Sequence, residues 1–227
     1  MRGTFVERQN RFVALVRLPD GTTAPVHIAS SGRMVELLVP GAPAEFTYDP
    51  QPGRQTAGTL TMVAHGDTWV SVDTGLPGKI LRRQICQLPP FAGYTHVRPE
   101  FTYGESRIDF LLTADGLPPC LVEVKSVTSV LTDPDGSRVA RFPDAPTGRG
   151  SRHLRELVRA RDDGYRTAVL FVIQRADAEA FGPWDDIDPA FGAELRRSAA
   201  AGVEVHAWRF HVTPEKTALS GAVPLRF

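Results

Sequence analysis

Along the first 77 residues apolar and polar positions alternate in short runs, predicting strands over 12–18, 24–28, 44–48, 60–64 and 69–73. Turn signals such as Pro19-Asp20-Gly21 and His65-Gly66-Asp67 separate them. Five short strands at this spacing predict a small barrel. Within this stretch, residues 33–38 set Met34, Leu37 and Leu38 at helical spacing and stop at Pro40-Gly41. That pattern predicts a short helix that plugs or caps the barrel.

Beyond Leu76-Pro77-Gly78 the pattern changes. A helix is expected over 80–88, then tightly joined strands over 94–103, 106–112 and 120–127, and a polar loop over 133–145. A helix over 150–161, a buried strand over 168–173, a helix over 189–200 and a strand over 203–208 complete the chain. Asp188 is a natural N-cap, Pro189 suits the first helical position, and Gly202 ends the helix. Strand, helix, strand order predicts a parallel pair with a right-handed crossover. The expected organisation is a barrel at 1–77 and a mixed α/β (α+β) sheet flanked by helices at 78–227.

Charge narrows the functions. Twenty-six basic and 26 acidic side chains cancel, so a surface for a polyanion has to be local. The longest purely apolar run, 168–173, is far short of the roughly 20 residues that cross a bilayer. The first residues lack the apolar core of a signal peptide, so the expectation is a cytoplasmic protein with no membrane partner. Cys86 and Cys120 indicate neither a disulfide framework nor a zinc site. Only three basic residues are lysine, at 79, 125 and 216, and Asn10 is the single asparagine. Against that bias, a lysine or asparagine that survives draws attention to its chemistry.

Alternation along 106–112 sends Arg107, Asp109 and Leu111 to one face and Ile108, Phe110 and Leu112 to the other. On the next strand Glu123 and Lys125 project side by side. A hairpin centred on Gly116 sets Asp109 opposite Glu123, and a two-residue Gly104-Glu105 turn sets Glu100 opposite Asp109. Like charges so placed destabilise one another unless a cation intervenes. Mg²⁺ or Mn²⁺ held by Asp109, Glu123 and Glu100 would provide it, with Lys125 beside an attacking water. Asp109 with Glu123-Val124-Lys125 is the D…(D/E)xK pattern of PD-(D/E)XK nuclease-like domains. The competing reading is a solvated sheet face on which Arg107 and Lys125 pair with the acids.

The local basic patch lies at 138–161, where seven arginines stand against Asp144 and Glu156. Arg152, Arg155 and Arg159 fall within about 60° on a helical wheel, opposite Leu154, Leu157 and Val158. The glycine-bearing entry at 147–151 would let backbone approach a phosphate at a helix N-terminus. His153 lies between the stripe and the apolar face, with no partner evident from sequence.

Taken together, Ser106-Arg107-Ile108-Asp109-Phe110, Glu123-Val124-Lys125-Ser126-Val127-Thr128, Phe142-Pro143-Asp144-Ala145-Pro146-Thr147, Arg149-Gly150 and His153-Leu154 resemble the sugar fermentation stimulation protein A (SfsA) family. Asn10 within Arg8-Gln9-Asn10-Arg11-Phe12, and Gly32-Arg33-Met34, continue the resemblance over nearly the whole chain. It implies an N-terminal OB-like β-barrel followed by a PD-(D/E)XK nuclease-like domain, in DNA-binding proteins implicated in sugar utilisation. It also implies a nuclease-like core of Glu100, Asp109, Glu123 and Lys125. Arg8, Arg11, Arg33 and Arg107 join Arg149, Arg152, Arg155 and Arg159 as expected nucleic-acid contacts, with Asp144, Thr147 and His153 as further site residues. The family's His-x-x-Asn-Thr-Gly loop appears here as His27-Ile28-Ala29-Ser30-Ser31-Gly32, and Asp73 stands where the resemblance leads one to expect an asparagine. Three functions are therefore in competition: a DNA-binding protein of weak sequence specificity, a metal-dependent nuclease, and a protein-interaction module whose acids pair with arginines.

Overall fold

The computed structural model describes residues 1–30 and 32–227; Ser31, which takes part in the departure from the family pattern, lies outside them. Six strands form the N-terminal sheet: β1 (Arg2–Asn10), β2 (Val13–Arg17), β3 (Thr23–Ile28), β4 (Pro43–Phe46), β5 (Thr59–His65) and β6 (Thr68–Ser71). Their order is β3-β2-β1-β4-β5-β6, and a parallel β3–β5 pairing closes the first five into a barrel. Five barrel strands were expected, but the membership differs, since β1 belongs to the ring and β6 extends it. The reason is visible in β1. It buries Phe5 alone, and register shifts after Phe5 and Arg8 erase its period of two.

The inward residues fill the barrel: Ala14 and Val16, Val26 and Ile28, Ala44 and Phe46, Leu60 and Val63. Residues 33–38 form a turn and not the expected helix. Met34 adopts a left-handed φ of 48°, and its carbonyl accepts from Leu37 and Leu38 N–H at 3.1 and 2.9 Å. Met34 and Leu37 are still buried in the barrel core, so the plug exists without the helix.

The remaining elements are α1 (Leu76–Gln84), β7 (His96–Tyr103), β8 (Ser106–Thr113), β9 (Cys120–Val127), β10 (Ser129–Thr132), β11 (Arg138–Phe142), α2 (Gly148–Asp162), β12 (Arg166–Ile173), β13 (Ala180–Pro183), α3 (Pro189–Ala200), β14 (Glu204–Val212) and β15 (Thr217–Ala222). They build a mixed sheet of order β15-β14-β12-β9-β8-β7, with β12 parallel to both β9 and β14. Strand β12 is buried on both faces. Val169, Phe171 and Ile173 pack on the core under α2 and α3, while Ala168, Leu170 and Val172 join Leu81, Ile85 and Phe91 on the other side.

Three expectations need correction. The helix at 80–88 begins at Leu76 and gives way to 3₁₀ geometry at Ile85. The stretch at 133–145 is not all loop: β11 pairs with β10 and runs parallel to β13 in a separate three-stranded sheet. Arg138 and Arg141 mask that strand, which buries only Val139 and Ala140. Strand β15 was also not foreseen; its positions are half-buried or exposed. By contrast α3 spans the expected residues, with Asp188 accepting from Phe191 N–H at 3.0 Å.

Barrel and second domain are joined by hydrogen bonds. Ser71 N–H donates to the Gln174 carbonyl at 3.0 Å, Ser129 Oγ to Glu36 at 2.7 Å, and Met34 N–H to Asp144 at 3.3 Å. Phe171 holds the second core, fully buried and stacked on Phe181 at 4.1 Å between ring centroids. Phe171→Ala should cost about 3–5 kcal/mol in urea unfolding. A loss below about 1 kcal/mol would show that this core is not the one that sets stability.

Candidate metal and nucleic-acid site

The two hairpins carry the registers expected. Tyr103 faces Ser106 across the Gly104-Glu105 turn, where Gly104 takes φ 55°, and Leu112 faces Cys120 on the next strand pair. Both ladders break at the carboxylates. Pairing of β7 with β8 runs to Phe101↔Ile108 and resumes at Pro99↔Phe110, skipping Glu100 and Asp109. Pairing of β8 with β9 ends at Phe110↔Val122. In place of the next ladder bond, the Asp109 carboxylate accepts from Val124 N–H at 2.7 Å, so it occupies the fork between the strands.

The break also shifts the faces. Ile108 and Leu111 pack in the core under α2, while Phe110 and Leu112 pack on the α1 side. Strict alternation along 106–112 therefore slips by one residue at Asp109. Glu100 sits at φ 56°, a conformation that costs a non-glycine residue about 1–3 kcal/mol and tends to mark functional sites.

Glu123 lies in the same fork with 4% of its side chain exposed. Its Oε1 accepts from Lys125 Nζ and from His153 Nδ1, each at 2.5 Å. Helix α2 delivers His153 because Leu154 and Leu157 are drawn into the core, turning the neighbouring position toward β9. Arg149 Nε donates to His153 Nε2 at 3.3 Å, which fixes the tautomer with the proton on Nδ1. Glu123 Oε2 is buried and has no hydrogen-bond partner among the described residues. Burial pushes the Glu123 carboxyl up, but Lys125 and His153 outweigh it and hold it below its ordinary range. Asp109 goes the other way, pushed up to about 6 by burial and by the Glu123 charge.

Glu100 does not enter this cluster as a third ligand. It lines the same cavity as Asp109, about 440 Å³, but its carboxylate is exposed and lies 3.7 Å from Arg107. Among the described residues no three His, Cys, Asp or Glu side chains are grouped to hold a metal. The residues present nevertheless fit a divalent cation. Asp109 and the unpartnered Glu123 Oε2 are the donors that would hold it, and hard cations such as Mg²⁺ are commonly bound by one or two carboxylates plus water.

Lys79 and Arg82 of α1 also line that cavity, as do Thr74 and Ser126. The sequence pattern gave no sign of them, although Lys79 is one of three lysines. Asp73 fixes this corner by accepting from Gly75 N–H at 2.8 Å and Lys79 Nζ at 3.2 Å.

The arginines separate into groups. On α2, Arg152 is exposed and carries no ion pair among the described residues, whereas Arg155 pairs with Glu194 and Arg159 with Glu156, both at 3.3 Å. Arg8 is committed to backbone, donating to the carbonyls of Asn10, Arg11, Gly32 and Arg33. Arg11 and Arg33 are exposed and line a crevice of about 340 Å³ with it. The α2 entry is closed by protein groups: Thr147 Oγ1 accepts from Gly150 N–H at 3.0 Å, and Thr147 N–H donates to Asp188. A side chain at Gly150 would meet Thr147 at 2.8 Å and Phe191 at 3.2 Å, so that glycine serves close packing and not ligand approach. Asp144 faces the barrel turn at Met34.

Comparison with known proteins decides the family. The SfsA N-terminal OB domain model matches residues 6–72, and the sugar fermentation stimulation protein RE domain model matches residues 75–216. The chain belongs to the SfsA family. The sugar fermentation stimulation protein homolog of Symbiobacterium thermophilum is 63% identical, over 100% of this chain and 94% of its own length. The homolog of Moorella thermoacetica is 42% identical, over 100% and 96%. The structure of Pyrococcus furiosus SfsA in complex with Ca²⁺ superposes with a TM-score of 0.88 at 29% identity, covering 100% of this chain and 95% of that one. Among the described residues no helix is long and apolar enough to cross a membrane.

The Asp109 carboxyl has a consequence for stability. Its native pKa of about 6 lies above the ordinary 3.8, so the native state holds an extra proton between those values and stability falls as pH rises through that window. Asp109→Asn keeps an acceptor for Val124 N–H and removes that loss. In chelator, the variant should exceed wild type by about 2–3 kcal/mol near pH 7.5 and match it near pH 4. Equal or lower stability of the variant near pH 7.5 would contradict the placement of Asp109.

Proposed function

We propose that this chain is a DNA-binding protein that grips phosphates with arginines and reads little sequence. The observation that carries this is the concentration of exposed cations at two patches of a chain with zero net charge: the Arg11 and Arg33 crevice on the barrel, and Arg149 with Arg152 on α2. Arginine contacts of this kind fix position on a polyanion without base readout. The relatives' name, sugar fermentation stimulation, directs the regulatory outcome of such binding to sugar utilisation.

A second reading, phosphodiester hydrolysis assisted by Mg²⁺ or Mn²⁺, is favoured by one specific observation, the buried and unpartnered Glu123 Oε2 beside Asp109. Ca²⁺ in the P. furiosus relative supports a cation in this fold. A bound divalent ion would polarise a phosphoryl oxygen and lower the pKa of a bound water. In this reading Asp109 and Glu123 hold the ion, Lys125 steadies the nucleophile or the charge developing at phosphorus, and His153 keeps Glu123 oriented. Glu100, at the cavity mouth, orders water.

Fluorescence anisotropy with labelled DNA tests the first reading. Binding should weaken steeply with salt, and Arg152→Ala should reduce the log–log salt slope by about one; no retention at low salt would refute it. Calorimetric titration tests the second. Mn²⁺ should bind wild type, Glu123→Gln should abolish that binding, and Lys125→Ala should spare it while eliminating cleavage of a labelled oligonucleotide. Equal Mn²⁺ binding by wild type and Glu123→Gln would remove the metal site.

A further inference from the structure

The β1–β2 turn presents an aromatic ring to solvent on a backbone held at both of its polar groups. Phe12 is 47% exposed, yet both polar groups of its backbone are engaged. Asn10 Oδ1 accepts from Phe12 N–H at 2.9 Å, and the Phe12 carbonyl accepts from Ile28 N–H at 2.8 Å and contacts His27 Nδ1 at 3.1 Å. The exposed His27 ring lies 6.4 Å away at an interplanar angle of 26°, and the Arg11 guanidinium sits 5.5 Å from the Phe12 centroid. Arg8 staples this turn to residues 32–33 through their carbonyls, bringing Arg33 beside Arg11.

Burying an aromatic ring is the rule, and Phe12, with only the His27 ring and the Arg11 guanidinium against it, leaves nearly half of its surface in water. An exposed ring with one guanidinium over it and a second near by is an arrangement that stacks an unpaired base while the guanidinium groups move to its phosphates. A duplex hides its base faces and cannot use such a ring. We propose that Phe12, backed by His27, is a stacking platform, and that the barrel takes single-stranded DNA across the Arg11 and Arg33 crevice. Asn10 and Arg8 act as positioning residues for this surface. The proposal rests on the DNA-binding reading and narrows its substrate to unpaired strands.

The test compares binding of a labelled oligo-dT of about 16 nucleotides and of a duplex of equal length, at low salt, by the full chain. Phe12→Ala should weaken oligo-dT binding about 5- to 100-fold and leave the duplex unchanged, and Phe12→Trp should retain oligo-dT binding. An unchanged thermal melt of Phe12→Ala establishes that the fold survives. Wild type and Phe12→Ala binding oligo-dT equally would overturn the platform and leave DNA binding standing. Wild type binding neither polymer would overturn both.

Discussion

One carboxylate governs the second domain. Glu123 is buried on a central strand, where an unpaired negative charge would cost several kcal/mol. Lys125 and His153 remove most of that cost by sharing a single oxygen, Oε1. The other oxygen is left bare in the fork where Asp109 has displaced a strand-to-strand bond. Asp109 feels this charge as well, and its carboxyl is pushed up to about 6, by burial first and by Glu123 second. A sheet selected for stability alone would continue both ladders through these positions. This one interrupts them on each side of Asp109 and adds a left-handed residue at Glu100.

The barrel contributes by position. Its turn at Met34 touches Asp144, its last strand bonds to Gln174, and the seam encloses a cavity of about 210 Å³ lined by Ser30, Thr74, Ser126 and Arg141. Thr74 and Ser126 also line the Asp109 cavity, and Gly32 lines both the seam and the arginine crevice. Shared walls link the three spaces in series from the barrel's arginines to the carboxylate fork. In the proposed DNA-binding reading, a polymer gripped at one end would be guided toward the other.

Much of this was legible in residue patterns. Hairpin turns at 104–105 and around Gly116 set the registers that align Glu100, Asp109 and Glu123, because glycine-bearing turns and a two-residue period leave little freedom. The α3 boundaries followed from Asp188, Pro189 and Gly202. Other features were hidden for identifiable reasons. Strand β1 carries too many polar residues and two register shifts to show its period. Met34 and Leu37 have helical spacing but sit in a turn, because burial at the barrel mouth outweighed local propensity. The slip of alternation at Asp109 is a tertiary event, and so is the meeting of His153 with Glu123, 30 residues apart. Arg8 illustrates the limit most clearly: its charge suggested phosphate contact, while its donors are spent on four carbonyls. Asn10, conspicuous for its rarity, proved to fasten the exposed Phe12 turn.

The fork of Asp109 and Glu123 leaves one buried carboxylate oxygen without a partner, and the proposed metal-dependent reading puts a divalent cation there. Anomalous diffraction from crystals soaked in Mn²⁺ addresses it without reference to any activity. The account predicts a peak about 2.1 Å from Glu123 Oε2 and from an Asp109 oxygen, with Oε1 still held by Lys125 and His153. A map without a peak in the fork at saturating Mn²⁺, or a shared proton joining the two carboxyls in its place, would contradict it.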